Sequence, residues 1–141
     1  MEGVRIETVI APVGMWHVRK HVIRADFPLE AAEGAFAVRK DWAGARPCDR
    51  IASSLASGGV FALAHGAYGT SAIFALRGYG AGEVIHPEPN TNLMYARTVL
   101  PTLRADLPAG ETTLLCAVFS DAGDLAPASV PQEVKDLAES L

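Results

Sequence analysis

Hydrophobic and polar residues alternate along most of this chain with a period of two. In "VRIETVIAPV" Val4, Ile6 and Thr8 alternate with Arg5 and Glu7, which predicts a strand. Gly14 opens a second strand, with Trp16, Val18 and Val22 on one face and His17, Arg19, His21 and Ile23 on the other. Its Val, Ile and Trp suit a pleated, half-buried surface better than a helix. "DFPLEAAEG" reads as a connection and "AFAVRKDW" as a strand carrying Phe36 and Val38. "DRIASSLAS", "GVFALAHGAYG" and "TSAIFALRGYGAGEVIH" follow, with glycine-containing turns between them. "NLMYARTVLPTLRADL" holds Pro101, which predicts an edge strand or a bulge at that point. "ETTLLCAVFS" is the last strand, with Leu114, Cys116 and Val118 on one face.

Short strands about 10 residues apart, separated by turn chemistry, predict an all-β fold, an antiparallel β-sandwich. The sandwich is expected to occupy residues 1–120, with a C-terminal tail over 121–141. Only "PQEVKDLAESL" has a helical period. Pro131 suits a first turn, and Val134, Leu137, Ala138 and Leu141 form one stripe, as a short cap or a frayed tail would.

Composition narrows the function classes. A chain of 141 residues can bury a sizeable core, and half of these residues are hydrophobic. The net charge of -4, with bases and acids interspersed, argues against a nucleic-acid partner. "GGVFALAHGAYGTSAIFAL", the longest apolar stretch, is interrupted by His65, Gly66 and Gly69 and does not read as a membrane span. Cys48 and Cys116 are far apart and belong to no C-x-x-C pattern, so they are expected as reduced core residues. With no secretory pattern at the start, the expected compartment is the cytoplasm.

The candidate chemistry begins with His17 and His21, four residues apart. On a helix this spacing holds zinc, but on a strand it separates the two residues by about 13 Å, too far for one ion. No metal and no cofactor is therefore expected. A strand instead makes a ladder of His17, Arg19 and His21. That ladder is either a solvated face or a contact surface, in which guanidinium and imidazole meet an acidic or hydroxylated partner. "GYGAGE" is followed by Val84 and Ile85 rather than a helix, so it reads as a hairpin connection and not a phosphate loop. Ser71 and His65 in "AHGAYGTSA" lack the strand-to-helix turn of a nucleophile elbow. In "HPEPNTNLMYART", Asn90 and Asn92 suit turn-building, and with Arg97 they also suit sugar hydroxyls or carboxylates. Glu33-Gly34 reads as a turn, or as an acidic contact.

"PVGMWHVRKHVIRADFPLEAAEGAFAV" and "ALRGYGAGEVIHPEPNTNLMYARTVLPTLRADLPAGETTLLCAV" together resemble the C-terminal part of an uncharacterised bacterial family. In that family a β-sandwich follows an N-terminal toroid of paired helices, akin to heparinase-type lyases and unsaturated glucuronyl hydrolases. The matching elements are W-H-x-R-x-H at Trp16 to His21, E-G at Glu33 and Gly34, and G-x-S at Gly69 and Ser71. P-N-T-N at Pro89 to Asn92 and R-T-x-x-P-x-L from Arg97 to Leu103 complete an ordered set reaching to about Phe119. Lys20 and Val22 depart from the regular alternation, and the toroid is absent from this chain.

The resemblance implies a non-catalytic accessory β-sandwich of a carbohydrate-active protein. Its contact residues would be His17, Arg19, His21, Glu33, Asn90, Asn92 and Arg97. Its partner would be a helical toroid domain or an acidic oligosaccharide, with self-association through an exposed ladder as a further expectation. The alternative is a small lyase- or hydrolase-type enzyme acting on uronic-acid-containing sugar. In that case His17 or His21 would serve as base, with Arg19 facing the carboxylate.

Overall fold

Alternation becomes strand nearly everywhere that the sequence predicts it. The computed structural model describes residues 3–36, 38–41, 48–56, 59–66, 69–85, 97–123 and 125–141, with backbone alone at 38–41, 48–56, 66 and 97–98. The first strands are β1 (Val4–Val13) and β2 (Trp16–Ala25), joined through Gly14, whose φ of 62° turns the hairpin. They are followed by β3 (Leu29–Gly34), β4 (Val38–Asp41), β5 (Cys48–Ala56), β6 (Gly59–Gly66), β7 (Gly69–Arg77) and β8 (Ala81–Ile85). Next come β9 (Arg97–Leu107), β10 (Gly110–Asp121) and a helix, α1 (Gln132–Ser140).

Two antiparallel sheets result. One has six strands in the order β1-β2-β10-β7-β6-β5; in the other, β3, β4 and β8 all pair with β9. β3 and β8 both pair with Thr102 to Arg104, so they must lie on opposite flanks of β9. The layer between the sheets holds Ile23, Ile73, Tyr79, Leu103, Leu114, Cys116 and Val118. The opposite face of the six-stranded sheet carries a second cluster, in which Trp16, Val18, Phe74 and Phe119 meet Val134 and Ala138 of α1. The C-terminal helix is thus packed onto the sheet rather than frayed, and it begins next to Pro131. Among the described residues no helix is long and apolar enough to cross a membrane.

Four local expectations change. "DFPLEAAEG" contains a strand, because Leu29, Ala31 and Glu33 pair with Leu107, Ala105 and Leu103 of β9. Glu33-Gly34 is accordingly the end of β3 and not a turn. "GYGAGE" does not join a hairpin: β7 lies in the six-stranded sheet and β8 in the other, so the segment crosses between layers. Pro101 sits in the strand shared by all the others in its sheet, not at an edge. Its carbonyl accepts from the Ala35 amide at 2.9 Å, which aims its missing N–H toward the β3–β4 side. There β3 has ended at Gly34, and the pairing resumes only at Val38↔Val99, one residue out of step. The proline therefore forfeits only the return bond to Ala35, just where β3 ends, and the register irregularity falls beside it.

Candidate functional site

The pleat places His17, Arg19, His21 and Ile23 on one face of β2, beside Val118, Cys116, Leu114 and Thr112 of β10. That face looks into the sandwich, toward β3. The ladder is therefore not a solvated or exposed face. The side chains of Arg19, His21 and Glu33 are only 13%, 14% and 18% exposed. Glu33 projects inward where Leu29 and Ala31 of the same strand add to the apolar layer, so a carboxylate enters between the sheets.

A buried charge needs partners, and Glu33 has several. Arg19 Nη1 donates to Glu33 Oε2 at 2.6 Å and to the Gly34 carbonyl at 2.7 Å. Arg19 Nε donates to His17 Nε2 at 2.9 Å, so His17 accepts on that nitrogen and carries its proton on Nδ1. The Tyr79 hydroxyl donates to Glu33 Oε1 over a longer 3.4 Å. His21 Nε2 stands 2.7 Å from the same oxygen but out of line for a hydrogen bond, which leaves this buried nitrogen without a hydrogen-bond partner. Thr8 of β1 holds the other His21 nitrogen at 2.8 Å. Phe36 sets its ring edge against His17, centroids 5.8 Å apart, and its amide donates to Ser71 Oγ at 3.1 Å.

The surroundings tune the titratable groups. Burial, and then the Arg19 guanidinium, hold His17 below the ordinary histidine value of 6.5. Burial, with the Glu33 charge behind it, pushes the Cys116 thiol up to about 12, so the thiol stays protonated and unreactive near neutral pH. Burial, then the neighbouring Cys116 and Glu33, raise Tyr79 well above the ordinary tyrosine range and keep it a donor.

A pH prediction follows for His17. Its folded pKa lies below its unfolded one, so the unfolded chain takes up this proton first. The stability contribution is complete above pH 6.5 and declines as the pH falls from there toward the folded value. Urea midpoints measured between about pH 5 and 8 should fall on the acid side in the parent. The fall should be shallower in His17→Gln, which keeps an acceptor for Arg19. Parallel profiles would show that His17 is not held neutral.

β1 overhangs this network. Paired with β2 in one continuous register, it sets Ile6 beside Ile23, Thr8 beside His21 and Ile10 beside Arg19. The inward-facing side chains of β1 reach past β3, and Ile6 and Ile10 remain 57% and 59% exposed. Phe36, also half exposed, lies near the His17 end. Between overhang and network is a cleft of 240 Å³, lined by Ile6, Thr8, His21, Glu33 and Tyr79. That is below the roughly 300–1,000 Å³ of pockets that enclose small ligands. A larger groove of 650 Å³ lies on the opposite face of the six-stranded sheet, beside α1, away from the Glu33 network.

The structure thus gathers His17, Arg19, His21 and Glu33. Asn90 and Asn92 lie outside the described residues. Arg97 heads β9, paired with Asp41, six residues from the Leu103 that pairs with Glu33. At strand rise that is about 20 Å, so its backbone stands apart from the network. Thr8, Phe36, Ser71, Tyr79 and Cys116 join the site without having been singled out for it. The alternation of β1 already put Thr8 on a face with Ile6, but nothing local to Tyr79 or Phe36 signals Glu33 or His17 as neighbours. Among the described residues no cluster of three or more His, Cys, Asp or Glu side chains is placed to hold a metal.

A family model described as the DUF2264 C-terminal domain matches residues 1–135. No curated protein and no solved structure matches the chain.

Proposed function

Because the chain belongs to the DUF2264 C-terminal domain family, we propose that it is a non-catalytic docking module, whose overhanging β1–β2 face receives another domain of the family's proteins. The family description names a C-terminal domain, which implies a preceding region as the partner. In this reading that region is a helical toroid of the heparinase-like kind.

The observation that carries the reading is an apolar strip left in solvent beside an ion pair, Arg19–Glu33, whose charges are already matched. Ile6, Ile10 and Phe36 are large, exposed and set around Arg19 and Glu33, whose charges answer each other. Exposed apolar groups next to internally paired charges suit burial under a second protein surface, since covering them leaves no new charge unpaired. The reading as an acidic-glycan site or a lyase- or hydrolase-type enzyme needs a cation free to meet a carboxylate. Arg19 instead directs Nη1 to Glu33 and Gly34 and Nε to His17, and its charge is answered by the Glu33 carboxylate.

The test is calorimetric titration of the chain with the separately produced N-terminal region of a DUF2264 protein from the same source. Binding should weaken at least about tenfold in Ile10→Asp with Phe36→Asp, as expected when apolar anchors are lost from an interface. Circular dichroism checks that the variant still folds. No binding by the parent chain, or binding indifferent to the double substitution, defeats the docking reading. Unsaturated product absorbance on incubation with uronic-acid oligosaccharides would favour the enzyme instead.

A further inference from the structure

Among the described residues, β1 is the outermost strand of the six-stranded sheet and pairs on one flank only, with β2. The direction of its backbone groups can be worked out. The Asp26 amide donates to the Gly3 carbonyl at 3.0 Å, and Gly3 stands opposite Asp26 in the register that continues as Val4↔Ala25. In an antiparallel ladder the bonded positions alternate, so Gly3, Arg5, Glu7 and Val9 turn their amides and carbonyls toward β2. Val4, Ile6, Thr8 and Ile10 turn theirs outward, to the open edge. Pro12 has the same parity, which explains how a proline fits in this strand: the N–H it lacks would have pointed away from β2.

Among the described residues no strand, loop or helix pairs with this edge between Val4 and Ile10, and its only charges, Arg5 and Glu7, are of opposite sign. The register with β2 runs without a bulge, and the stretch holds no Lys and no Pro. Its apolar side chains are exposed on both faces, with Val4, Ile6 and Ile10 on one and Val9 on the other. Natural sheets blunt such edges unless the edge is used.

The charges say what can use it. An antiparallel partner must match outward-facing residues with outward-facing residues. For a second copy of β1 this allows only registers symmetric about one residue. Symmetry about Ile6 puts Arg5 opposite Glu7 and Glu7 opposite Arg5, on one face, with Ile6 against Ile6 on the other. Symmetry about Arg5 or about Glu7 opposes like charges. Symmetry about Thr8 leaves Arg5 facing Ala11 and Glu7 facing Val9. One register therefore satisfies backbone, charge and apolar contact together.

We infer that two copies of this chain pair edge to edge through β1, antiparallel and centred on Ile6, with Arg5 of each copy against Glu7 of the other. Val4↔Thr8 and Ile6↔Ile6 are then hydrogen-bonded pairs, and the two six-stranded sheets join into one. The contact is two-fold symmetric and closes at a dimer, since each copy spends its β1 edge on the other. The pairing uses the backbone edge and shares Ile6 with the strip of the proposed partner domain, but self-association of this chain alone and the binding of that domain through Ile10 and Phe36 are read by different measurements, so each reading fails on its own test.

The test is sedimentation equilibrium of the full chain over a concentration series. The parent should show a monomer–dimer equilibrium. Arg5→Glu alone and Glu7→Arg alone each turn two attractive pairs into two repulsive ones and should weaken dimerisation about tenfold or more. The combined R5E/E7R chain restores both pairs with their signs exchanged, and should dimerise within about threefold of the parent. Both positions are exposed, so folding is preserved and circular dichroism verifies it. A parent that stays monomeric, single exchanges that leave the dimer unchanged, or a double exchange that fails to restore it would each overturn the inference.

Discussion

Glu33→Ala destabilises the domain by about 3 kcal/mol, the low end of what is lost when one partner of a buried ion pair is removed. The low end applies because the carboxylate keeps some contact with solvent. The loss is not confined to one bond. Arg19 keeps the Gly34 carbonyl and His17 but loses its counter-charge, the Tyr79 hydroxyl loses its acceptor, and His21 loses the carboxylate beside Nε2. A guanidinium left between two sheets without an anion costs more than the pair contributed while intact. Glu33→Gln should cost less, since it keeps the shape and an oxygen for Arg19. Arg19→Met together with Glu33→Ala should cost less than the sum of the two single changes, because the second removal takes away the stranded charge. Urea unfolding of the parent and of the four variants, Arg19→Met alone included, is the measurement. A Glu33→Ala chain within about 0.5 kcal/mol of the parent would mean that the network contributes nothing to the fold.

Gly82→Ala should cost about 3 kcal/mol or more, through overpacking rather than lost contacts. Gly82 lies in β8 opposite Leu103, where the smaller sheet comes against β6 of the larger one. A methyl group at this position would stand 2.2 Å from the Phe61 carbonyl oxygen and 2.8 Å from its carbon. Both belong to backbone inside a strand, which cannot swing aside as a side-chain end could. Relief requires the two sheets to part locally, which loosens the layer containing Leu103 and Tyr79. Gly80→Ala is the control. Nothing lies within 4 Å of its added methyl and its φ is not in the left-handed region, so it should be neutral or slightly stabilising. Equal melting temperatures for the two variants would mean that the sheets do not approach this closely at β8.

What the sequence by itself determined are the properties that depend on near neighbours. Alternation put His17, Arg19 and His21 on one face of β2 because the pleat of a strand is a local geometry. The stripe of Val134, Leu137 and Ala138 produced a helix by the same local logic, and Gly14 marked its hairpin. The same reasoning failed where local preference is weak. Leu29 to Gly34 is rich in Ala and Glu, poor strand formers, and became β3 only because β9 offers a ladder and an apolar layer to face. Pro101 predicted an edge strand or a bulge because a proline lacks a donor, and it lies in the central strand beside a register irregularity. Its tolerance in the middle of a sheet depends on where β3 happens to stop, which is a relation between distant segments.

The tertiary structure alone decided the character of the His–Arg ladder. Periodicity states that three polar side chains share a face, but it carries no information on what lies opposite that face. Here it is β3, which brings in Glu33 and makes a candidate surface into an internal ion-pair network. The surface expected of the ladder falls instead to its neighbour β1, an outermost strand whose inner side chains reach past the second sheet. The physical reason is that burial depends on how far each sheet extends relative to the other, and no single strand encodes that extent.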